Sequence, residues 1–477
     1  MSSRLTEIRE RLRRHGQEHV LAFAESLAPA ALEGLLDQLD AINFVELDGL
    51  IRSLVLEPPA RAMPADIEPA PCYAIDPAEA SAPWSRSRAR AIGEELLAEG
   101  RVAAFTVAGG QGTRLGWAGP KGTFPATVVT GKPLFRVFAE QIVAARRRYG
   151  ISIPWYIMTS PQNDDATRAF FSDNNWFALP AEDIFTFPQG TMPSIGLDGK
   201  LLLAAPGELA TNPDGHGGAI RALRSSGAIE HMAARGIEII SYFQVDNPLV
   251  RIFDPVFLGL HAAAPDSSAE MSSKMVPKVA PEEKVGVFCR IGGRTTVVEY
   301  SDLPAALAAA RDERGELRFR AGSIAIHAIG VRFVERLTAD RDRFGLPFHR
   351  AEKKVPFVDP RSGALVESER PNAVKLETFV FDAIPLAASS IVCETDRVEE
   401  FAPIKNAEGV DSPASSHRLQ TERHARWLEA RGVRIPRSPD GTVDARIEIA
   451  PLTALEAADL EGVELPAQVA PGSDVVL

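Results

Sequence analysis

The chain has 477 residues, more than one hydrophobic core ordinarily serves, so two or three packed units are expected. With 45% hydrophobic and 24% charged residues, it reads as globular rather than disordered or fibrous. Its 52 basic and 64 acidic residues leave a net charge of −12, which argues against nucleic acid or an anionic membrane as partner. Any anionic ligand must therefore be held by a local cluster of cations and backbone N–H groups.

Residues 2 to 56 are expected to be helical. Leu5, Ile8 and Leu12 recur at helical spacing, and Leu32, Leu35, Leu36, Leu39 and Ile42 form a second stripe. A connector follows with Pro58, Pro59, Pro64, Pro69, Pro71, Pro77 and Pro83, too dense in proline to continue a helix, and reads as an extended strap. From residue 86 a helix (87–100) leads into the apolar run 102–107 and then a glycine-rich loop. Further strand-like runs at 153–158, 237–245 and 285–289 alternate with helical stretches at 134–148 and 219–234. That alternation predicts an α/β fold with a largely parallel, doubly wound sheet, whose ligands sit beyond the carboxyl ends of the strands. After residue 405, runs at 433–435, 446–449 and 462–465 separated by Pro and Gly suggest a small β-rich unit. The expected division is 1–85, 86–405 and 406–477.

Cys72, Cys289 and Cys393 are too far apart for a disulfide framework or a zinc cluster, which fits a reducing cytoplasm. The N-terminus is charged from its first residues, and no apolar stretch is long enough to span a bilayer.

The most informative segment is Gly109-Gly110-Gln111-Gly112-Thr113-Arg114-Leu115-Gly116. Four glycines in eight positions let the backbone turn tightly and aim several N–H groups at one anion. Arg114 adds a permanently charged planar fork, and Lys121 a second cation one short loop later. A dinucleotide-binding Gly-x-Gly-x-x-Gly would need glycine where Leu115 stands. A Walker A loop would need Gly-Lys-Ser/Thr, whereas the lysine here lies in Pro120-Lys121-Gly122.

Gly-Gly-x-Gly-Thr-Arg-Leu-Gly followed by Pro-Lys resembles the signature of the eukaryotic-type UDP-sugar pyrophosphorylases, and the resemblance is nearest to the N-acetylglucosamine branch. It continues in order through Phe187-Pro188-Gln189-Gly190, Pro213-Asp214-Gly215-His216-Gly217-Gly218, Val245-Asp246-Asn247-Pro248-Leu249-Val250, Val298-Glu299-Tyr300-Ser301, Asn372-Ala373-Val374-Lys375-Leu376-Glu377 and Pro403-Ile404-Lys405-Asn406. The family fold it implies is a Rossmann-like, GT-A-like nucleotidyltransferase domain flanked by a helical N-terminal region and a small C-terminal β-rich domain. The implied reaction is UTP plus a sugar 1-phosphate giving UDP-sugar and pyrophosphate, with Mg²⁺.

By the resemblance, Gly109, Gly110, Gly112 and Thr113 would hold UTP, with Arg114 and Lys121 on its β- and γ-phosphates. Gln189 and Gly215 would contact uracil, Lys375 would neutralise the UTP phosphates, and Asp246 would bind the metal. Lys405 would grip the sugar phosphate, and Glu299 and Tyr300 the sugar. Two positions depart from the N-acetylglucosamine pattern. The usual Asp-Gly-Asn-Gly-Gly is Asp214-Gly215-His216-Gly217-Gly218, and the usual Ala-Gly-Asn-Ile is Ala321-Gly322-Ser323-Ile324. Both asparagines are sugar contacts in the family, so His216 and Ser323 leave glucose or galactose 1-phosphate as the alternative substrate. A non-catalytic sugar-nucleotide-binding protein is the alternative of another class, set against the retention of Arg114, Lys121, Asp246 and Lys405.

Overall fold

The computed structural model describes residues 3–58, 64, 66–75, 84–340 and 345–477. Contacts group the chain into two compact units, each assembled from three segments.

The larger unit comprises residues 63–188, 220–344 and 381–477. Its sheet is built around four parallel strands, in the spatial order Ile239–Gln244, Val102–Val107, Trp155–Thr159 and Ile184–Pro188. The inner three are mostly apolar rather than alternating, as expected of strands covered on both faces, and every residue of Trp155–Thr159 is buried, whereas Pro188 on the outer strand is exposed. Helices Arg86–Ala98 and Leu134–Tyr149 contribute Leu96, Leu97, Phe135, Phe138 and Ile142 to the same core as Trp155 and Phe243. The expected 219–234 helix is two helices, Gly218–Ser225 and Ala228–Ala234, parted at Gly227, whose φ is +79°.

Beyond Ile239–Gln244 the sheet departs from the largely parallel expectation. Ala321–Gly330 pairs antiparallel with it, and Met271–Pro277 and Val287–Ile291 pair antiparallel with Ala321–Gly330 in turn. Val287–Ile291 and Arg294–Val298 are joined by the two-residue turn Gly292-Gly293, which can connect only antiparallel strands. The sheet is therefore mixed, with a parallel centre. Within the described part of the proline-rich strap, Glu68–Pro69 pairs with Cys289 and Arg290, and Tyr73 bridges to Cys393. Pro59, Pro77 and Pro83 lie outside the described residues.

Residues 406–477 hold more helix than their proline- and glycine-broken text suggests. Helix Pro413–Glu429, capped by Ser412, packs Trp427 and Leu428 against Val433, Ile447 and Leu460. The parallel pair Ala445–Glu448 and Ser473–Val476 overlaps the run at 446–449. The run at 433–435 makes only a single bridge, Arg434 to Gln468, and 462–465 forms no strand.

The smaller unit comprises residues 1–62, 189–219 and 345–380. Helices Ser3–Arg14, Pro29–Asp40 and Phe44–Leu50 turn Leu5, Ile8, Leu12, Leu35, Leu36 and Leu39 onto Ile195, Leu201, Val374 and Leu376. Val374 and Leu376 belong to Ala373–Thr378, the middle strand between Phe348–Lys353 and Ile195–Gly196. Both N-terminal apolar stripes are thus core of their own unit. Among the described residues, no helix is long and apolar enough to cross a membrane.

Candidate active site

In the larger unit, Val107 lies beside Gln244 in the parallel pair, and the Val245 N–H donates to the Val107 carbonyl at 3.1 Å. The chain segments leaving these strands, at Ala108 and at Asp246, therefore emerge side by side. The Gly112 N–H donates to the Gly119 carbonyl (2.9 Å) and the Lys121 N–H to the Gly110 carbonyl (3.0 Å), folding the loop back on itself. A Cβ at Gly112 would stand 2.7 Å from Cβ of Trp117, so only glycine fits there. The Trp117 indole in turn donates to Thr123 Oγ1 at 2.9 Å.

What this leaves over is the chemistry. The amides of Gly109, Gly110, Gln111, Thr113 and Arg114 donate to no protein acceptor among the described residues. Neither the exposed Arg114 nor the half-buried Lys121 side chain has a hydrogen bond or ion pair there. A tight loop with five unused N–H donors and two uncommitted cations is suited to a polyanion. Asn163, which the sequence did not mark, is a support for it. Its Nδ2 donates to the carbonyls of Ala108 (3.0 Å) and Gly110 (3.4 Å), while its Oδ1 accepts from the Ser160 N–H (2.7 Å).

Asp246 follows the end of the neighbouring strand. It is 8% exposed, and its carboxylate accepts no hydrogen bond and forms no ion pair among the described residues. A nearly buried carboxylate without a partner is costly unless a cation completes it. Among the described residues no group of three His, Cys, Asp or Glu side chains could cage a metal. Asp246 thus fits a hard divalent ion that takes its remaining ligands from phosphate and water. The Ile404 N–H donates to the Asp246 carbonyl at 2.8 Å, which draws Lys405 to this edge. The Lys405 ammonium stands 3.5 Å from Asp411 and 5.6 Å from the centre of the Phe401 ring.

Glu299 and Ser323 meet around Gly286. The Ser323 N–H donates to the Gly286 carbonyl at 2.8 Å, and a Cβ on Gly286 would lie 3.5 Å from Glu299 Oε1. Ser323 sits beside an irregularity in its strand, where Ala325 has a φ of +54°. Such bulges re-aim side chains. Tyr300 is 47% exposed.

Gln189, Gly215, His216 and Lys375 belong to the smaller unit. Gly215, at φ +85°, lies against the strand carrying Lys375: a Cβ would stand 2.3 Å from the Thr378 carbonyl oxygen. The Gly217 N–H donates to that oxygen, and the Thr378 N–H to the Asp214 carbonyl, both at 2.8 Å. The Asp214 N–H donates to the Gly190 carbonyl (3.1 Å), which brings Gln189 to the same turn. The Val380 N–H donates to Nδ1 of His216 (3.2 Å), and the imidazole stacks on Phe379, with centroids 5.2 Å apart. Burial, with a smaller contribution from His349, pushes His216 down to about 4. It is therefore neutral, with its proton on Nε2 as a donor. Lys375 makes no ion pair among the described residues.

A family model described as UTP–glucose-1-phosphate uridylyltransferase matches residues 80–428. Over 471 residues the chain is 35% identical to UDP-N-acetylglucosamine diphosphorylase 2 of Arabidopsis thaliana, covering 95% of this chain and 90% of that one. It is 38% identical over 352 residues to the UDP-N-acetylglucosamine pyrophosphorylase of Saccharomyces cerevisiae, 72% of each chain. Among solved structures, the uridine diphosphate N-acetylglucosamine pyrophosphorylase of Trypanosoma brucei, in complex with an inhibitor, superposes with a TM-score of 0.80 at 26% identity. That match covers 100% of this chain and 98% of the other.

Proposed function

The chain belongs to the UTP–glucose-1-phosphate uridylyltransferase family, and from that premise we propose that it joins UTP and N-acetylglucosamine 1-phosphate into UDP-N-acetylglucosamine and pyrophosphate. The observation that carries this reading is the juxtaposition at two neighbouring strand ends. Five uncommitted amides, Arg114 and Lys121 stand on one side, and the unpartnered Asp246 carboxylate with Lys405 on the other.

The chemistry needs no more than this. The second pKa of a sugar phosphate lies near about 6, so at neutral pH the attacking oxygen is already ionised and no general base is required. That oxygen forms a bond to the α-phosphorus of UTP as the bond from α-phosphorus to the pyrophosphate oxygen breaks in line. The barrier is the approach of two anions and the charge on the departing pyrophosphate, both answered by positioning and fixed cations. The free amides of Gly109, Gly110 and Thr113 cradle the triphosphate, while Gly112, whose own N–H is committed to Gly119, lets the loop turn; Arg114 and Lys121 neutralise the β- and γ-phosphates, and Lys375 adds a further cation. Lys405 holds the incoming sugar phosphate. Asp246 would hold Mg²⁺, which when bound screens phosphate charge. Gln189 and Gly215 take the uracil. Glu299, Tyr300, Ser323 and the Nε2–H of His216 take the sugar.

A pyrophosphate-release assay with UTP, Mg²⁺ and a panel of sugar 1-phosphates tests the proposal, and a folded protein inert on every sugar defeats it. His216 and Ser323, where an amide is usual, support glucose or galactose 1-phosphate as the second reading; the same panel separates the two. Three cysteines without a disulfide agree with a cytoplasmic location.

A further inference from the structure

Lys274, in the strand Met271–Pro277, is only 2% exposed, and Glu400 is fully buried. The Lys274 ammonium donates to Asp254 and to both carboxylate oxygens of Glu400, each at 2.6 Å. Glu400 also accepts from the Thr395 hydroxyl and from the Arg251 N–H. A buried ion cluster adds little net stability over well-packed apolar residues, but it holds its members in one arrangement, and removing one partner leaves a charge stranded. The Glu400 carbonyl accepts from Asn247 Nδ2 (2.6 Å), the Ala402 N–H donates to Asn247 Oδ1 (3.1 Å), and the Ile404 N–H donates to the Asp246 carbonyl (2.8 Å). Three successive hydrogen bonds thus run from Glu400 to the residue before Lys405. Among the described residues, none of these groups hydrogen-bonds to the glycine loop.

We propose that Lys274 and Glu400 are positioning residues for the transfer: their ion cluster locks residues 400–404 against Asp246 and Asn247, and so sets the distance between the Asp246 carboxylate and the Lys405 ammonium. The inference rests on the proposed reaction for its catalytic consequence. Neither residue touches substrate; both act through Lys405 and Asp246. Catalysis of this kind depends on placement to within an ångström, where an error costs about 100-fold in rate.

The test is Glu400→Gln, which keeps shape and removes charge, made alone and in a Lys405→Met background. The expected single effect is a fall of about 30- to 100-fold in kcat/KM for the sugar 1-phosphate, with KM for UTP within about two-fold of the parent. In the Lys405→Met background the further loss should be under about three-fold, because the group being positioned is already gone. Amide hydrogen exchange at Ile404 should quicken while that of Val102–Val107 is unchanged. Equal losses in both backgrounds, or equal effects on the two substrates, overturn the proposal. Should Glu400→Gln fail to fold, Thr395→Val loosens the same carboxylate, with a smaller loss that must show the same dependence on Lys405. A wild-type protein inert on every sugar refutes the proposed reaction instead. In that case unchanged exchange at Ile404 in the variant would refute the lock separately.

Discussion

Replacing Gly215 by alanine perturbs the turn of the smaller unit proposed to hold uracil, in a way whose size can be worked out. The residue sits at φ +85°, where an L side chain costs about 1–2 kcal/mol. The new Cβ would also stand 2.3 Å from the Thr378 carbonyl oxygen and 2.8 Å from the Thr378 nitrogen, backbone atoms that cannot swing aside. Relief requires opening the Gly217-to-Thr378 and Thr378-to-Asp214 hydrogen bonds, each worth about 1 kcal/mol net. The total is about 3–4 kcal/mol. Gly227→Ala is the matched control: its φ is +79°, but nothing lies within 4 Å of the added carbon, so only the backbone penalty of about 1–2 kcal/mol applies. Urea denaturation of both variants should therefore differ by about 2 kcal/mol. KM for UTP should rise in Gly215→Ala alone. If the two variants are equally stable, or if Gly215→Ala binds UTP normally, the close approach to Thr378 does not hold the uracil turn.

Asp246→Asn should lower kcat at least about 100-fold while leaving the melting temperature near the parent value, because the carboxylate makes no hydrogen bond among the described residues; steady-state kinetics and a thermal melt check both halves. Lys121→Met should raise KM for UTP without loss of stability, since this ammonium has no partner among the described residues, and an unchanged KM would remove it from the proposed triphosphate site. His216→Asn should shift the substrate ratio toward N-acetylglucosamine 1-phosphate, and an unchanged ratio in the sugar panel would remove His216 from the specificity argument. Burial, the leading cause in each case, holds His216, His261 and His424 at about 4, 4 and 3. The unfolded chain binds these protons from about pH 6.5 downward and the folded protein does not. Their contribution is whole above pH 6.5 and is lost as pH falls toward 4, at up to about 1.4 kcal/mol per pH unit for each proton. Urea midpoints that stay level from pH 7 to pH 5 would contradict this.

The family reading came from short contiguous text, and the matches to known proteins agree with it. A strand followed by Gly109 to Gly116, Pro120-Lys121 and Val245-Asp246-Asn247 are local signals, because a phosphate loop and a strand-end carboxylate need their residues at fixed short spacing. Helix and strand positions were legible for the same reason. Leu5, Ile8 and Leu12 report which face of one helix is apolar, and Val102–Val107, apolar but for Thr106, is buried up to its last residue.

What the sequence could not carry is pairing over distance. Periodicity says that Leu35 is buried; it does not say that residues 195–203 and 374–376 bury it. The clasp of the Asn247 side chain on the Glu400 carbonyl joins residues 153 apart, and the antiparallel half of the sheet and the turn that Thr378 closes over Gly215 depend on backbone groups that every residue possesses. Such bonds leave no signature in side-chain type. Nothing local in the sequence marks Lys274, and only the tertiary structure, by closing Asp254 and Glu400 around it, makes it a buried cation. The chemistry of this protein is thus written locally, in loops that must turn and residues that must carry charge. The distances at which those residues act are set by hydrogen bonds between segments far apart in the chain.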